Sequence, residues 1–300
     1  MLTRRTDLAV EAEELWRESA GETTELRGVR ARERAVNGFQ VTTVDILDGE
    51  GAAALGKPVG SYTTVEIDKL LHREDDAFTV GARVLADELS ALLDLRPEET
   101  VLVAGLGNRA ITADAVGPAT VGSTMVTSHL VERMPDMFGS LRRVVALETG
   151  VLGTTGIESA EVIRAITDRV KPDRVIVVDA LAARRLARVC RTVQLADTGI
   201  VPGSGVGNAR AAINRETLGI PVIAVGVPTV VDAATLAADI AAETGASAEL
   251  LTDEFLGAGM VVTPKDIDAN VADIAKLVAY GINLALHPEL TIDDVTMFVS

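Results

Sequence analysis

The chain has 300 residues, 48% hydrophobic, 24% charged and only 3% aromatic, enough apolar material for one large domain or two modest ones. Its 28 Lys and Arg stand against 44 Asp and Glu, a formal charge of −16, which disfavours direct nucleic-acid binding over a broad surface. One cysteine, Cys190, excludes an internal disulfide framework, a multi-cysteine zinc site and an iron–sulfur cluster built within one chain, and three scattered histidines leave little for a His-based metal cage.

No apolar run reaches the roughly 18 residues of a membrane helix. Acids stand near the N-terminus where a signal peptide would carry its apolar core. The expectation is a cytosolic protein of a reducing compartment, with no membrane association. Leu8 to about Ser19 reads as a short amphipathic helix, through Leu8, Val10, Ala12, Leu15 and Trp16. Residues 27–70 then alternate in short runs, such as Phe39–Val44 and Ser61–Ile67, broken by Asp48-Gly49-Glu50-Gly51 and Lys57-Pro58. That pattern predicts a small strand-rich lobe with turns. A helix from about Thr79 to Leu93 follows.

From about residue 98 to 300 the grammar is α/β. Thr100–Gly105, Val144–Glu148, Val175–Asp179 and Val222–Gly226 are compact apolar runs suited to buried parallel strands. Helical stretches are expected over about Ala115–Met134, Glu158–Val170, Ala180–Val189, Asp232–Glu243 and Asp266–Leu286. The alternation implies an open, mostly parallel twisted sheet with helices on both faces.

In such sheets, sites form outside the carboxyl ends of the strands. Gly105-Leu106-Gly107-Asn108-Arg109-Ala110 invites a dinucleotide reading and fails its context. The fingerprint runs straight into a helix and meets an acid about 20 residues on. Here Asp114-Ala115-Val116-Gly117-Pro118 interrupts the helix start, and the next strand ends near Glu148, too late.

Asp114 and Asp179 form a better pair. Two acids sharing a water divide the work of general base and general acid, because repulsion separates their pKa values. The plainer alternative is that Asp114 caps a helix and Asp179 orders a turn. Gly107, Asn108, Gly203 and Gly205 lie in glycine-rich loops suited to a substrate backbone or an oxyanion; Pro202–Asn208 is otherwise a mobile loop. Glu148 is a candidate third acid or a structural one. Cys190 reads as a small buried apolar residue, and His72, His129 and His287 as surface or helix-face residues.

Taken together, Arg5–Glu11, Gly105–Asn108 with Asp114–Pro118, Val178–Ala182, Pro202–Asn208, Gly226–Ala233 and Val261–Lys265 resemble the spore germination proteases over nearly the whole chain. The resemblance implies an atypical aspartic endopeptidase that degrades small acid-soluble spore proteins in the spore core. It places the catalytic acids on Asp114 and Asp179, with no cofactor or metal. It implies a self-processing zymogen, a homotetramer, and a fold similar to the hydrogenase maturation proteases. Family substrates are cut after an acid in a Thr-Glu/apolar-Ala-x-Glu context. Thr6-Asp7-Leu8-Ala9-Val10-Glu11 has that form with Asp for Glu, so residues 1–7 are an expected propeptide, cut between Asp7 and Leu8, and 8–300 one peptidase domain. Two alternatives stay open: a metal-dependent peptidase with Asp114 and Asp179 as ligands, and a non-catalytic binding module on the same fold.

Overall fold

The structure, a computed structural model, describes residues 4–20, 26–245 and 259–299. Nine strands make one sheet: β1 Val29–Val36, β2 Phe39–Ile46, β3 Gly60–Glu66, β4 Val101–Leu106, β5 Val144–Gly150, β6 Arg174–Ala183, β7 Thr192–Ala196, β8 Val222–Asp232 and β9 Val261–Val262. The spatial order is β1-β2-β3-β7-β8-β6-β4-β5, with β9 against the end of β8. Its centre, β8-β6-β4-β5, is parallel, with Val103 level with both Ala146 and Ile176, and Ile176 level with Ile223. The strand-rich N-terminal segment extends that sheet edge to edge, since β3 pairs antiparallel with β7 and β7 with β8.

Alternation along the central strands builds two cores. Val103, Ile176, Val178, Ile223 and Val225 face one side, where they pack with Leu85 and Leu89 of the helix Ala77–Leu93 and with Ile274 and Leu277 of the helix Ile267–Leu286. Leu102, Ala104, Val175, Val177 and Ala224 face the other, against Ala9 and Ala12 of the helix Ala9–Ala20 and Ile163 of the helix Ser159–Val170. Each fully buried Leu, Ile or Val contributes about 1.5–3 kcal/mol by leaving water. The helix Ile267–Leu286 is long and apolar enough to cross a membrane by length and composition, but thirteen of its twenty residues are buried inside this fold.

Two elements and one residue differ from the sequence expectation. The helix expected at Ala180–Val189 is strand as far as Ala183, followed by a 3-10 turn at Leu186–Arg188. Ala180-Leu181-Ala182-Ala183 favours helix locally, but pairing with β8 through Ala183 and Val231 overrides that preference. The stretch Ala115–Met134 divides into helices Val116–Gly122 and Ser128–Arg133, because Thr127 leaves the helical path to bond Arg142 O and Val144 N. His287 is no surface residue: it is 1% exposed at the end of the long core helix. His72 and His129 are exposed, and Cys190 is buried as expected.

Candidate active site

Asp114 and Asp179 come from adjacent parallel strands. Asp114 ends a 3-10 turn, Thr112–Asp114, in the connection leaving β4. Asn108 N donates to Asp114 Oδ2 at 2.8 Å, and Thr229 Oγ1 of β8 donates to Ala113 O at 2.6 Å, so two bonds hold the turn in place. Gly107 takes a φ of +107° beneath it, where a Cβ would stand 2.0 Å from Asp114 O. Asp179 sits within β6, not at its tip. β4 stops at Leu106, with Gly105 level with Val178, while β6 and β8 run on. Asp179 therefore lies just where the neighbouring strand ends, and it is 5% exposed.

Burial pushes Asp179 well above the usual carboxylate range, and the neighbouring charges of Asp114 and Asp7 push it further; the Ala180 N–H, 2.9 Å from Asp179 Oδ1, opposes them. Burial also raises Asp114, against the opposing Asn108 N–H. Both carboxyls are raised, and Asp179, the more deeply buried, is raised further.

The third carboxyl, Asp7, belongs to a segment lodged in the same place. Its backbone N–H donates to Ala182 O at 3.0 Å, and its Oδ2 accepts from Ala182 N at 2.9 Å. Ser204 Oγ donates to Asp7 Oδ1 at 2.6 Å. Gly205 lies under that carboxylate; Gly203, at a φ of +74°, starts the 3-10 turn Ser204–Val206 that carries Ser204. Leu8 and Ala9 beyond the bond are wholly buried. Glu11, also wholly buried, accepts from Arg184 N at 2.6 Å, Arg185 N at 3.0 Å and Thr6 Oγ1.

The Asp7 carbonyl is held as well. Lys57 Nζ donates to Asp7 O at 2.9 Å and Gln194 Nε2 at 3.1 Å. Lys57 follows the helix Gly49–Leu55, whose start is capped by Asp48 and whose end is closed at Gly56. Gln194 is in β7, level with Thr64 of β3 and Gly226 of β8. Sequence reasoning missed Lys57, Gln194 and Ser204, and had no signal for Ala182. The one available clue was a lone amide inside the apolar run Val193-Gln194-Leu195.

Of the other expected residues, Glu148 pairs with Arg109 on the surface, Nε to Oε2 at 3.0 Å, and takes a structural part. Among the described residues no three His, Cys, Asp or Glu side chains group closely enough to hold a metal ion.

Comparison with known proteins gives the class: the germination protease model matches residues 9–243 and 247–299, which makes the chain a peptidase. It is 43% identical to the germination protease of Clostridium perfringens over 100% of both chains. It is 47% identical to that of Caldanaerobacter subterraneus subsp. tengcongensis, over 96% of this chain and 95% of the relative. It is 37% identical to that of Bacillus cytotoxicus, over 97% and 95%. This chain belongs to the germination protease family. Among solved structures, the NiFe hydrogenase maturation protease HycI of Thermococcus kodakarensis KOD1 aligns with a TM-score of 0.35 and 17% identity, over 65% of this chain and 98% of that one.

Proposed function

We propose that this peptidase is an aspartic-type endopeptidase, made as a zymogen that cuts its own Asp7–Leu8 bond and then acts on small acid-soluble spore proteins during germination. One observation carries the reading: the Asp7–Leu8 peptide lies in the cleft as a substrate would, its acid clasped by Ala182 and Ser204 and close enough to raise Asp179.

The chemistry follows from the two proton affinities. Asp114, the more readily ionised, takes a proton from a water that attacks the Asp7 carbonyl carbon. Asp179 gives its proton to the Leu8 nitrogen as the C–N bond breaks. One proton then returns from Asp114 to Asp179, which resets the pair. The segment before Leu8 is the propeptide in this reading, and residues 1–3 of it lie outside the described residues.

The finer setting is carried over from the family resemblance: the spore-core cytoplasm, and assembly as a homotetramer. Met137 and Met297, 73% and 81% exposed beside the edge-on pair Phe138 and Phe298, offer an apolar patch of the kind that assembly covers.

The test is incubation of the purified chain with a small acid-soluble spore protein, wild type beside Asp179→Asn, read by mass spectrometry. The expected result is a wild-type chain that comes to start at Leu8 and substrate cut after an acid, with neither in the variant. Self-cleavage by Asp179→Asn at the wild-type rate would overturn the reading.

A further inference from the structure

A peptide carbonyl turning tetrahedral places a negative charge on its oxygen, and in the mechanism above Asp179 gives its proton to the Leu8 nitrogen and not to that oxygen. Donors already aimed at that oxygen in a site closed to water stabilise the charge effectively. Two such donors converge here. Lys57 Nζ is 2.9 Å from Asp7 O, with a second, longer bond of 3.4 Å to Thr6 O. Gln194 Nε2 is 3.1 Å from Asp7 O.

The orientation of the amide is fixed by chemistry. Ala9 N lies 2.7 Å from the other end of Gln194, and a backbone N–H only donates, so that end is Oε1 and the NH2 faces the carbonyl. Lys57 is as well placed. Burial lowers its pKa, the charges of Asp7 and Glu11 oppose that shift, and the ammonium donates to the Asp7 and Thr6 carbonyls. Both groups are mounted on stiff supports, a capped helix and a strand paired on both edges. The strand-rich segment thereby contributes a group to the site.

We propose that Lys57 and Gln194 form the oxyanion site of this enzyme, catalytic residues that polarise the Asp7–Leu8 carbonyl and the equivalent carbonyl of a substrate peptide presenting an acid before the scissile bond. The assignment rests on the self-cleavage reading above. As water adds, the carbonyl π pair moves onto oxygen and is met by the Lys57 and Gln194 N–H groups. No proton leaves either residue. The pair returns when the C–N bond breaks, and the Leu8 nitrogen takes its proton from Asp179.

The experiment follows self-cleavage of the full chain by intact mass, for wild type, Lys57→Met, Lys57→Arg, Gln194→Glu and Asp179→Asn. Trp16, the one tryptophan, lies on the N-terminal helix against the second core, so its emission reports whether the segment stays docked. Gln194→Glu keeps the acceptor for Ala9 N, removes the donor and sets a carboxylate against the oxyanion. With Trp16 emission unchanged, Lys57→Met should slow cleavage by about 10²–10³-fold and Gln194→Glu by at least about tenfold, with Lys57→Arg recovering part.

Lys57→Met cutting at the wild-type rate while Asp179→Asn is dead would remove the oxyanion assignment and leave the aspartate reading standing. Slow cleavage with Trp16 shifted toward solvent would make Lys57 a tether for the segment and overturn the catalytic role. An Asp179→Asn chain that cuts normally while Lys57→Met is slow would overturn the aspartate reading and support the oxyanion pair. A wild-type chain that never cuts the bond would remove both.

Discussion

Gly205 leaves room for Asp7: a Cβ at position 205 would stand 2.2 Å from Asp7 Oδ2 and 2.8 Å from the Ala182 Cβ. The contact binds the glycine-rich loop to the acid that precedes the expected cleavage point, and the same loop supplies the Ser204 hydroxyl. Gly205→Val should therefore lift Asp7 off Ala182 and carry its carbonyl away from the site. Misplacing a reacting group by about 1 Å costs on the order of 10²-fold in rate. Intact mass measured over time should show self-cleavage slowed by at least that much, in a chain whose far-ultraviolet circular dichroism is unchanged.

The two aspartates should both be needed for activity, and Asp179 should also show itself in stability. Asp114→Asn and Asp179→Asn should each lower turnover by about 10²–10⁴-fold, the range for loss of a proton-transferring group. Asp179 binds its proton more tightly folded than unfolded. The stability from this group is therefore fully present below the unfolded carboxyl value of about 3.9 and is lost as pH rises through the higher folded value. Asp179→Asn removes that loss. Its thermal midpoint should exceed that of wild type at pH 8, and the difference should close as pH falls toward 4. A variant less stable than wild type at pH 8 would contradict a protonated, buried Asp179.

The sequence showed the parallel centre of the sheet because β4, β6 and β8 are continuous apolar runs, the pattern that burial on both faces imposes. It also singled out Asp114 and Asp179, since an acid beside such a run has few places to lie. It did not show where β6 ends. Leu181, Ala182 and Ala183 become strand through β8, a partner remote in sequence, and no local preference encodes that pairing. Lys57 was hidden for the same reason. Beside Pro58 it has the composition of any surface turn, and its importance comes from Thr6, Asp7 and Gln194 meeting it in space.

Chelators should leave the reaction unaffected. Burial raises both Asp114 and Asp179, which disfavours their ionised forms, and a hard divalent cation takes six or more oxygen ligands with carboxylates ionised. The third carboxyl at hand, Asp7, is already satisfied by Ala182 N and Ser204 Oγ. Self-cleavage and substrate cleavage should run at the same rate with and without an excess of EDTA. Loss of both on chelation, restored by one added divalent metal, would instead make the two aspartates metal ligands.

His287 should make the fold acid-sensitive independently of the active site. It is 1% exposed, and neither ring nitrogen has a hydrogen-bond partner among the described residues. Burial first, and the neighbouring Arg142 guanidinium second, lower its pKa to about 4. A free imidazole titrates near 6.5, so the unfolded chain takes up this proton first. The stability is intact above about pH 6.5 and drains away as pH falls toward 4. At pH 5, some 1.5 pH units below the free value at about 1.36 kcal/mol each, the loss is roughly 2 kcal/mol. His287→Leu fills a similar volume and cannot take up the proton. Urea midpoints at pH 7.5 and pH 5 should show the wild type losing roughly 2 kcal/mol more than His287→Leu over that interval. Equal losses would mean that His287 takes up its proton in the folded chain as readily as in the unfolded one.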